Sequence, residues 1–498
     1  MSFFQYIDNS PLLFTSIPFW AFFAVLLAGY SLVYKHHRAR SLYLLIFSLF
    51  FYYKSSGLFF ILLIFSIIAS YLITQRIPHC RTQRAKRWLV GFNVALCLGL
   101  LSYFKYAYLA VDALNALLNT DIQVVNHLAI WANRCGADFD TSQILLPVGI
   151  SFYLFQSISY TVDVYRQKLE PAKHLIDYAL YVSFFPQLVA GPIVRAAEFM
   201  PQTHAPYRLS RREFGHALFL ILTGLIKKMA ISDHLAMNLV DRVFDNPLAY
   251  SGLQNMMAIY GYALQIYCDF SGYTDIAIGL ALLLGFRLCT NFNSPYKALS
   301  ITDFWRRWHI SLSSWLRDYL YIPIGGNRHG RLRTNINILI TMILGGLWHG
   351  ANLRFLIWGG VHGAALVVDK AIARWRGTRP SSPWRRAAGG IITFNVVCLA
   401  WIFFRANDLS TVAQMLGQIA THFGTAELSS IATSHADVLA IMAFGYAAHW
   451  LPYRLQEAIR GRFIESHMAI QLIITLLAVL LIVQLSASAL QPFIYFRF

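Results

Sequence analysis

Of 498 residues, 57% are hydrophobic and 13% charged, and the mean hydropathy is +0.50. Ordinary soluble domains carry about 25% charged residues, so a water-soluble globular chain is excluded. The net charge of +18 would suit nucleic acid, but its distribution excludes that too, because the basic residues lie in short clusters beside apolar blocks.

Those blocks are Leu13–Val33, Gly57–Thr74, Trp88–Phe104, Phe214–Ile231, Met256–Phe286, Leu353–Ile372, Gly389–Phe404 and Met468–Ser486. Each approaches or exceeds the ~20 residues that a spanning helix needs; a closed barrel would show ~10-residue alternating segments instead. The chain therefore reads as all-α, a polytopic integral membrane protein with roughly ten to twelve spanning or re-entrant helices. A single membrane domain is expected over 1–498, with a core at 88–405 and peripheral helices at 1–87 and 406–498.

Met1–Pro11 has no basic residue and carries Asp8, so the first block reads as a retained anchor and not as a cleaved leader. Basic residues follow at Lys35, Arg38 and Arg40, at Arg76, Arg81, Arg84, Lys86 and Arg87, and at Arg208, Arg211 and Arg212. Further clusters stand at Arg374, Arg376, Arg379, Arg385 and Arg386, and at Arg454, Arg460 and Arg462. Residues 111–143 hold a single arginine against Asp112, Asp121, Asp138 and Asp140, and residues 406–437 hold no Lys or Arg. Positive charge stays on the cytoplasmic side. Cys80, Cys97, Cys135, Cys268, Cys289 and Cys398 are scattered without a CxxC pair, so neither a metal site nor a disulfide framework is expected.

In the central chain, FFPQLVAGPIVR breaks any straight helix at Pro186, Gly191 and Pro192. Irregular backbone at membrane depth needs protein or a water-filled cavity over it, so this segment reads either as a cavity wall or as a plain kink. Asp269 and Asp275 lie inside the apolar run YCDFSGYTDIAIG, where acids are buried facing protein. They fit orienting a histidine, binding a cation, or pairing helices. Ser300–Ile324 reads as one amphipathic helix at the membrane interface. Ser300 or Thr302 caps it, Asp303 suits its first turn, and Trp305, Trp308, Leu312, Trp315 and Tyr319 form an aromatic stripe with His309 at its border. Arg306, Arg307 and Arg317 have the chemistry to hold phosphates, whether of a cytoplasmic donor or of lipid headgroups. His349, in TMILGGLWHGAN, is the sharpest candidate: an ionisable group in an apolar block is costly and is a functional candidate by default. Gly345, Gly346 and Gly350 leave room beside it for a substrate or another helix. His362, in GGVHGAA, is a weaker version of the same signal. A nucleophile elbow, a Walker loop and an HExxH zinc motif are all missing from the sequence.

FWRRWHISLSSWLRDYLYIPIGGNR and LGGLWHGAN resemble the membrane-bound O-acyltransferase family, in the bacterial polysaccharide branch that includes alginate O-acetylation. The resemblance continues through LLPVGISFYLFQSISYTVDVYR, FFPQLVAGPIVR and YCDFSGYTDIAIGLALLLGFRLCTNFNSPY, and spans roughly Trp88–Arg405. It departs at GGNRHG, where His329 replaces the usual lysine. It implies that His349 is the catalytic histidine, His309 the second signature residue, and a funnel from each face narrows toward them. Trp305, Arg306, Arg307, Arg317, Asp318, Tyr319 and Asn352 fall in the matched motifs and Asp303 directly precedes one, all as donor-binding or supporting residues. It further implies a multi-pass protein of the bacterial inner membrane with no permanently bound cofactor or metal. Acetyl-CoA would be the cytoplasmic acyl donor, a polysaccharide the acceptor, and a periplasmic SGNH-type acetyltransferase-like protein a partner. Membrane lipid is the surrounding medium and no nucleic acid is involved. Two other classes stay open on the residues alone: a carrier of acyl groups or lipid-linked sugars, and a scaffold for a separate acetyltransferase.

The charge asymmetry predicts loops 35–40, 75–87, 374–387 and 452–467 in the cytoplasm and 111–143 and 406–437 outside. Single cysteines in 111–143 should react with an impermeant maleimide in intact cells; labelling only after lysis would reverse the topology.

Overall fold

A computed structural model describes residues 11–134, 140–377, 382–424, 428–485 and 493. Cys135, Asp138, Arg379 and Ser486 lie outside the described residues. All regular elements among the described residues are helical. Six helical runs are long and apolar enough to cross a membrane, or up to eight if two sharply bent pairs, Leu428–Ser434 with Ala436–Trp450 and Tyr453–Glu465 with Met468–Gln484, each count as a span. The expected ten to twelve also counted re-entrant and shorter pieces, which is why it is the looser figure. Ile17–Val33 is one such short apolar helix.

The N-terminal part runs through α1 (Ile17–Val33), α2 (His37–Ser56), α3 (Phe60–Arg76) and α4 (Gln83–Leu118). Gly57, at φ +58°, makes the break between α2 and α3, a conformation that costs a side-chain-bearing residue dearly. The chain folds back there, so that His37 and Ser41 at the start of α2 share a cleft with Tyr71 near the end of α3. Both flanking basic clusters thus lie at one end, as the charge pattern requires. In α4 the most apolar window is only 17% buried, which leaves Trp88, Phe92 and Leu98 facing outward. That is a lipid-facing rim.

The interior is built on α5 (Ile150–Tyr165), α6 (Arg211–Leu225) and α7 (Gly252–Leu283). Reciprocal capping boxes start α6 at Ser210/Glu213 and α7 at Ser251/Gln254. The apolar window of α7 is 83% buried, so this helix is the axis around which the others pack. Beyond Leu225 the chain widens into a π-helical turn, Ile226–Ser232, a shape common at functional positions. Lys227 and Lys228 leave from that turn. Lys227 Nζ meets Asp275 at 2.7 Å, and Lys228 Nζ meets Asp233 at 2.7 Å and Asp269 at 2.5 Å. Of the three roles open to the two acids, the observed contacts are ion pairs that tie α6 to α7.

The largest difference from expectation is at Ser300–Ile324. It is not one interfacial helix but three pieces: α8 (Ile301–Trp305), α9 (Ile310–Leu316) and a π-helical turn, Arg317–Tyr321. The break falls at His309, whose φ of +44° is left-handed. Trp308, Leu312 and Trp315 are at most 6% exposed, so the stripe faces protein and not the headgroup layer. Hydropathy alone does not distinguish those two apolar surroundings.

α10 (Gly330–His349) and α11 (Leu353–Arg376) form a close antiparallel pair, followed by α12 (Pro383–Arg405). A Cβ on Gly346 would run into the carbonyl of Phe355, one on Gly359 into the carbonyl of Met342, and one on Gly350 into the Phe355 ring. The glycines near His349 therefore serve helix approach. Gly346→Ala should lower stability by ~1–3 kcal/mol through overpacking, whereas Gly360→Ala, which meets nothing within 4 Å, should not. Thermal unfolding in detergent distinguishes the two.

Candidate active site

His309 is wholly buried, and its Nδ1 lies 3.1 Å from Asn291 Oδ1. That same oxygen accepts the Ser311 backbone N–H at 3.1 Å and faces Ser311 Oγ at 2.9 Å. Because a backbone N–H must donate, the Asn291 atom is the carbonyl oxygen, and Nδ1 of His309 must carry the hydrogen toward it. In the neutral ring this places the lone pair on Nε2. Among the described residues, buried Nε2 has no hydrogen-bond partner. The Asn291 backbone carbonyl also takes the Ile310 N–H at 2.9 Å, so residue 291 caps α9 from outside the helix. Ser311 Oγ in turn accepts the Ile193 N–H at 3.0 Å, which docks the irregular VAGPIVR backbone beside the same turn. Gln187 through Val194 are all buried, so protein covers this broken segment.

His349 is the last helical residue of α10 and is 4% exposed. Its ring is enclosed by Trp348, Trp358 and Phe404, with centroids 4.9, 5.1 and 5.2 Å away. Trp348 also lies 6.2 Å from the His309 ring, so the two histidines flank one indole. Phe152 and Phe155 of α5 close the other side of that indole at 5.3 and 5.5 Å. The backbone around His349 is tied to α4: Lys105 Nζ donates to the carbonyls of Trp348 and His349 at 2.6 and 2.9 Å, and Tyr106 Oη donates to that of Leu347 at 2.8 Å.

Beyond Trp358 lies His362, fully buried, with its ring 4.8 Å from that indole and both nitrogens unpartnered among the described residues. Trp305 packs on His362 at 5.1 Å and on Trp358 at 5.8 Å. Trp305 also lines a cleft of about 190 Å³ with Arg317, Tyr321, Thr341, Met342 and Lys370. An apolar slot with two cations therefore runs up to the aromatic wall behind which the histidines sit.

The other expected site residues are distributed unevenly. Arg306 is exposed. Arg307 is bound to Asp303 at 2.8 Å, and Arg317 to Asp318 through two bonds of 2.7 and 3.2 Å. Asn352 caps α11 through the Arg354 N–H at 3.1 Å, which is a local structural task. Tyr319 donates to Asp163 at 2.6 Å beneath the guanidinium of Arg195, 4.4 Å from its ring. Arg195 also reaches Asp318 at 3.6 Å, and Arg166 donates to the Asp318 carbonyl at 3.1 Å. The group that His309 Nδ1 meets is the Asn291 amide. Asp163 and Lys105 were open to the rule that singled out His349, an ionisable group in an apolar run. Asn291 was not, since an asparagine in TNFNSPY reads as a turn. Among the described residues no three His, Cys, Asp or Glu side chains gather as a metal site would require.

Two buried histidines thus pack on one indole inside a broken helical bundle, and residues 167–409 match the membrane-bound O-acyltransferase family. The chain is 39% identical over 441 residues to the protein named probable alginate O-acetylase of Pseudomonas putida, an alignment covering 84% of this chain and 86% of that one. It belongs to the membrane-bound O-acyltransferase family and is an O-acyltransferase. It is also 38% identical over 436 residues to a peptidoglycan O-acetyltransferase of Helicobacter pylori, covering 81% of this chain and 78% of that one. A teichoic acid D-alanyltransferase of Bacillus subtilis is 28% identical over 275 residues, covering 52% and 68% respectively.

Asn291→Ala would leave the Ser311 and His309 donors without their acceptor, a loss of ~1–3 kcal/mol for groups this buried. Thermal unfolding should show it, while Asn293→Ala, an exposed neighbour, should unfold as wild type.

Proposed function

We propose that this protein transfers an acetyl group from cytoplasmic acetyl-CoA to hydroxyls of an exported polysaccharide, within the bacterial inner membrane, with His349 as general base. The observation that carries the reading is that His309 and His349, forty positions apart in sequence, flank one buried indole. A thioester has a good thiolate leaving group, so transfer to oxygen needs an activated hydroxyl and an oriented carbonyl more than it needs a metal. His349 takes the hydroxyl proton as oxygen attacks the thioester carbonyl. The tetrahedral intermediate collapses to the ester, and the thiolate leaves and is protonated.

His309 serves this step as an orienting group. Its Nε2 lone pair can accept from a substrate O–H or amide N–H, and supporting a developing oxyanion would require a second proton on that ring. The cleft beside Trp305 supplies the donor path, with Arg317 and Lys370 at its edge. Asp303, Arg306, Arg307, Asp318 and Tyr319 are the supporting polar residues of this reading, and Arg195 and Arg166 contact Asp318 and Tyr319. A polysaccharide acceptor follows from the relatives, whose names refer to alginate, peptidoglycan and teichoic acid. A periplasmic SGNH-type acetyltransferase-like protein completes the reading as the partner that delivers the group to polymer. All of these residues lie within 88–405.

His349→Ala should leave insertion intact and lower acyl transfer by at least the ~100-fold typical of a lost general base. His349→Gln, which keeps hydrogen bonding but accepts no proton, should be nearly as inactive. Donor turnover by purified protein measures both; substantial activity in His349→Gln would make the residue a positioning group.

A further inference from the structure

Helix α4 is mostly a lipid-facing rim, yet it carries a lysine in the run SYFKYAYLAV. An ammonium at that depth is expensive unless turned inward and partnered. Lys105 is turned inward, and its partners are backbone carbonyls, those of Trp348 and His349. Tyr106, the next residue, takes the carbonyl of Leu347. Three consecutive carbonyls at the end of α10 are thus held by two adjacent side chains of one neighbouring helix.

Those carbonyls belong to the last turn, where a helix has no internal donors left and the negative end of its dipole accumulates. A cation with several donors suits that position well. The geometry also shows why the turn needs holding. Gly350 is already extended, at φ −166° and ψ 151°, and its N–H reaches Gly346 O only at 3.4 Å. Helix ends fray. An imidazole on a fraying terminal residue has no fixed direction, whereas a general base must reach its proton at hydrogen-bond distance. The ammonium lies 5.9 Å from the centroid of the Trp348 ring as well, so it also fastens the indole that packs on both histidines.

We infer that Lys105 is a positioning residue for His349, clamping the end of α10 so that the imidazole and the Trp348 indole keep their places, with Tyr106 as the accessory clamp. The inference rests on the reading of His349 as the base. It predicts a specific kinetic signature. Loss of the clamp leaves the donor cleft untouched, so donor KM should stay within about twofold while kcat falls. Misplacement of a reacting group by an ångström can cost ~100-fold, so a drop of at least about tenfold in kcat is expected for Lys105→Met. Lys105→Arg, which restores a cation with several N–H donors, should recover a large part of it, and Tyr106→Phe should give a smaller loss of the same kind.

The test is steady-state acyl transfer by purified full-length variants in detergent, with His349→Gln assayed alongside. A fall in kcat at constant KM, rescued by arginine, supports the clamp. Wild-type kcat in Lys105→Met while His349→Gln is inactive overturns the clamp and leaves His349 as base. Full activity in His349→Gln overturns the base reading, and the clamp with it. A rise in KM matching the fall in kcat/KM also overturns it, since Lys105 would then act on substrate binding. Should Lys105→Met fail to fold, Lys105→Gln, which still donates to a carbonyl, and Tyr106→Phe carry the same KM-against-kcat comparison.

Discussion

The side-chain carbonyl of Asn291 is the contact on which the centre of this molecule is organised. A single oxygen is shared by the Ser311 N–H, the Ser311 hydroxyl and His309 Nδ1, in a place that water does not reach. In such surroundings an unmade hydrogen bond is expensive, so the three groups are obliged to converge. Their convergence stops α8, starts α9, turns His309 inward and fixes which of its nitrogens keeps a lone pair. Through Ser311 it also fastens the irregular backbone at Ile193. Secondary structure, side-chain direction and protonation pattern at this point follow from one acceptor.

The second histidine is placed by a different device. α10 and α11 approach through Gly346 and Gly359, so closely that a methyl group on either would strike the opposite backbone. That approach brings Trp358 and, through α12, Phe404 around the imidazole. The aromatic rings form a continuous wall from Phe152 to Trp305, and the two histidines sit within it. Such a wall excludes water from the reacting groups, which strengthens every polar contact they make.

Much of this was legible in the sequence because bilayer physics is coarse. Long apolar blocks, clustered arginines and an ionisable residue in an apolar run are visible without coordinates, and they gave the helical class, the charge asymmetry and His349. What was not legible depended on partners far away in the chain. The stripe of tryptophans in 300–324 has helical spacing, yet only Asn291 explains why the helix stops at His309. Asp269 and Asp275 were visible as buried acids, but the lysines that take them up leave from a widened turn that has no sequence signature. Lys105 meets the same rule as His349, yet one charge in a 36-residue helix barely alters its hydropathy.

The left-handed backbone at His309 acts as a filter on which amino acids can stand there at all, apart from any chemistry. A φ of +44° is accepted readily by glycine and, among residues with side chains, chiefly by asparagine, aspartate and histidine. Valine or isoleucine would be strained before their missing nitrogens mattered. The alphabet open to this position is therefore short, and it happens to consist largely of polar residues. Swapping the imidazole for an aliphatic group would combine two injuries in one measurement, a bent main chain and an absent lone pair. Asparagine, at home in the same conformation, is the replacement that removes the ring and leaves the bend alone.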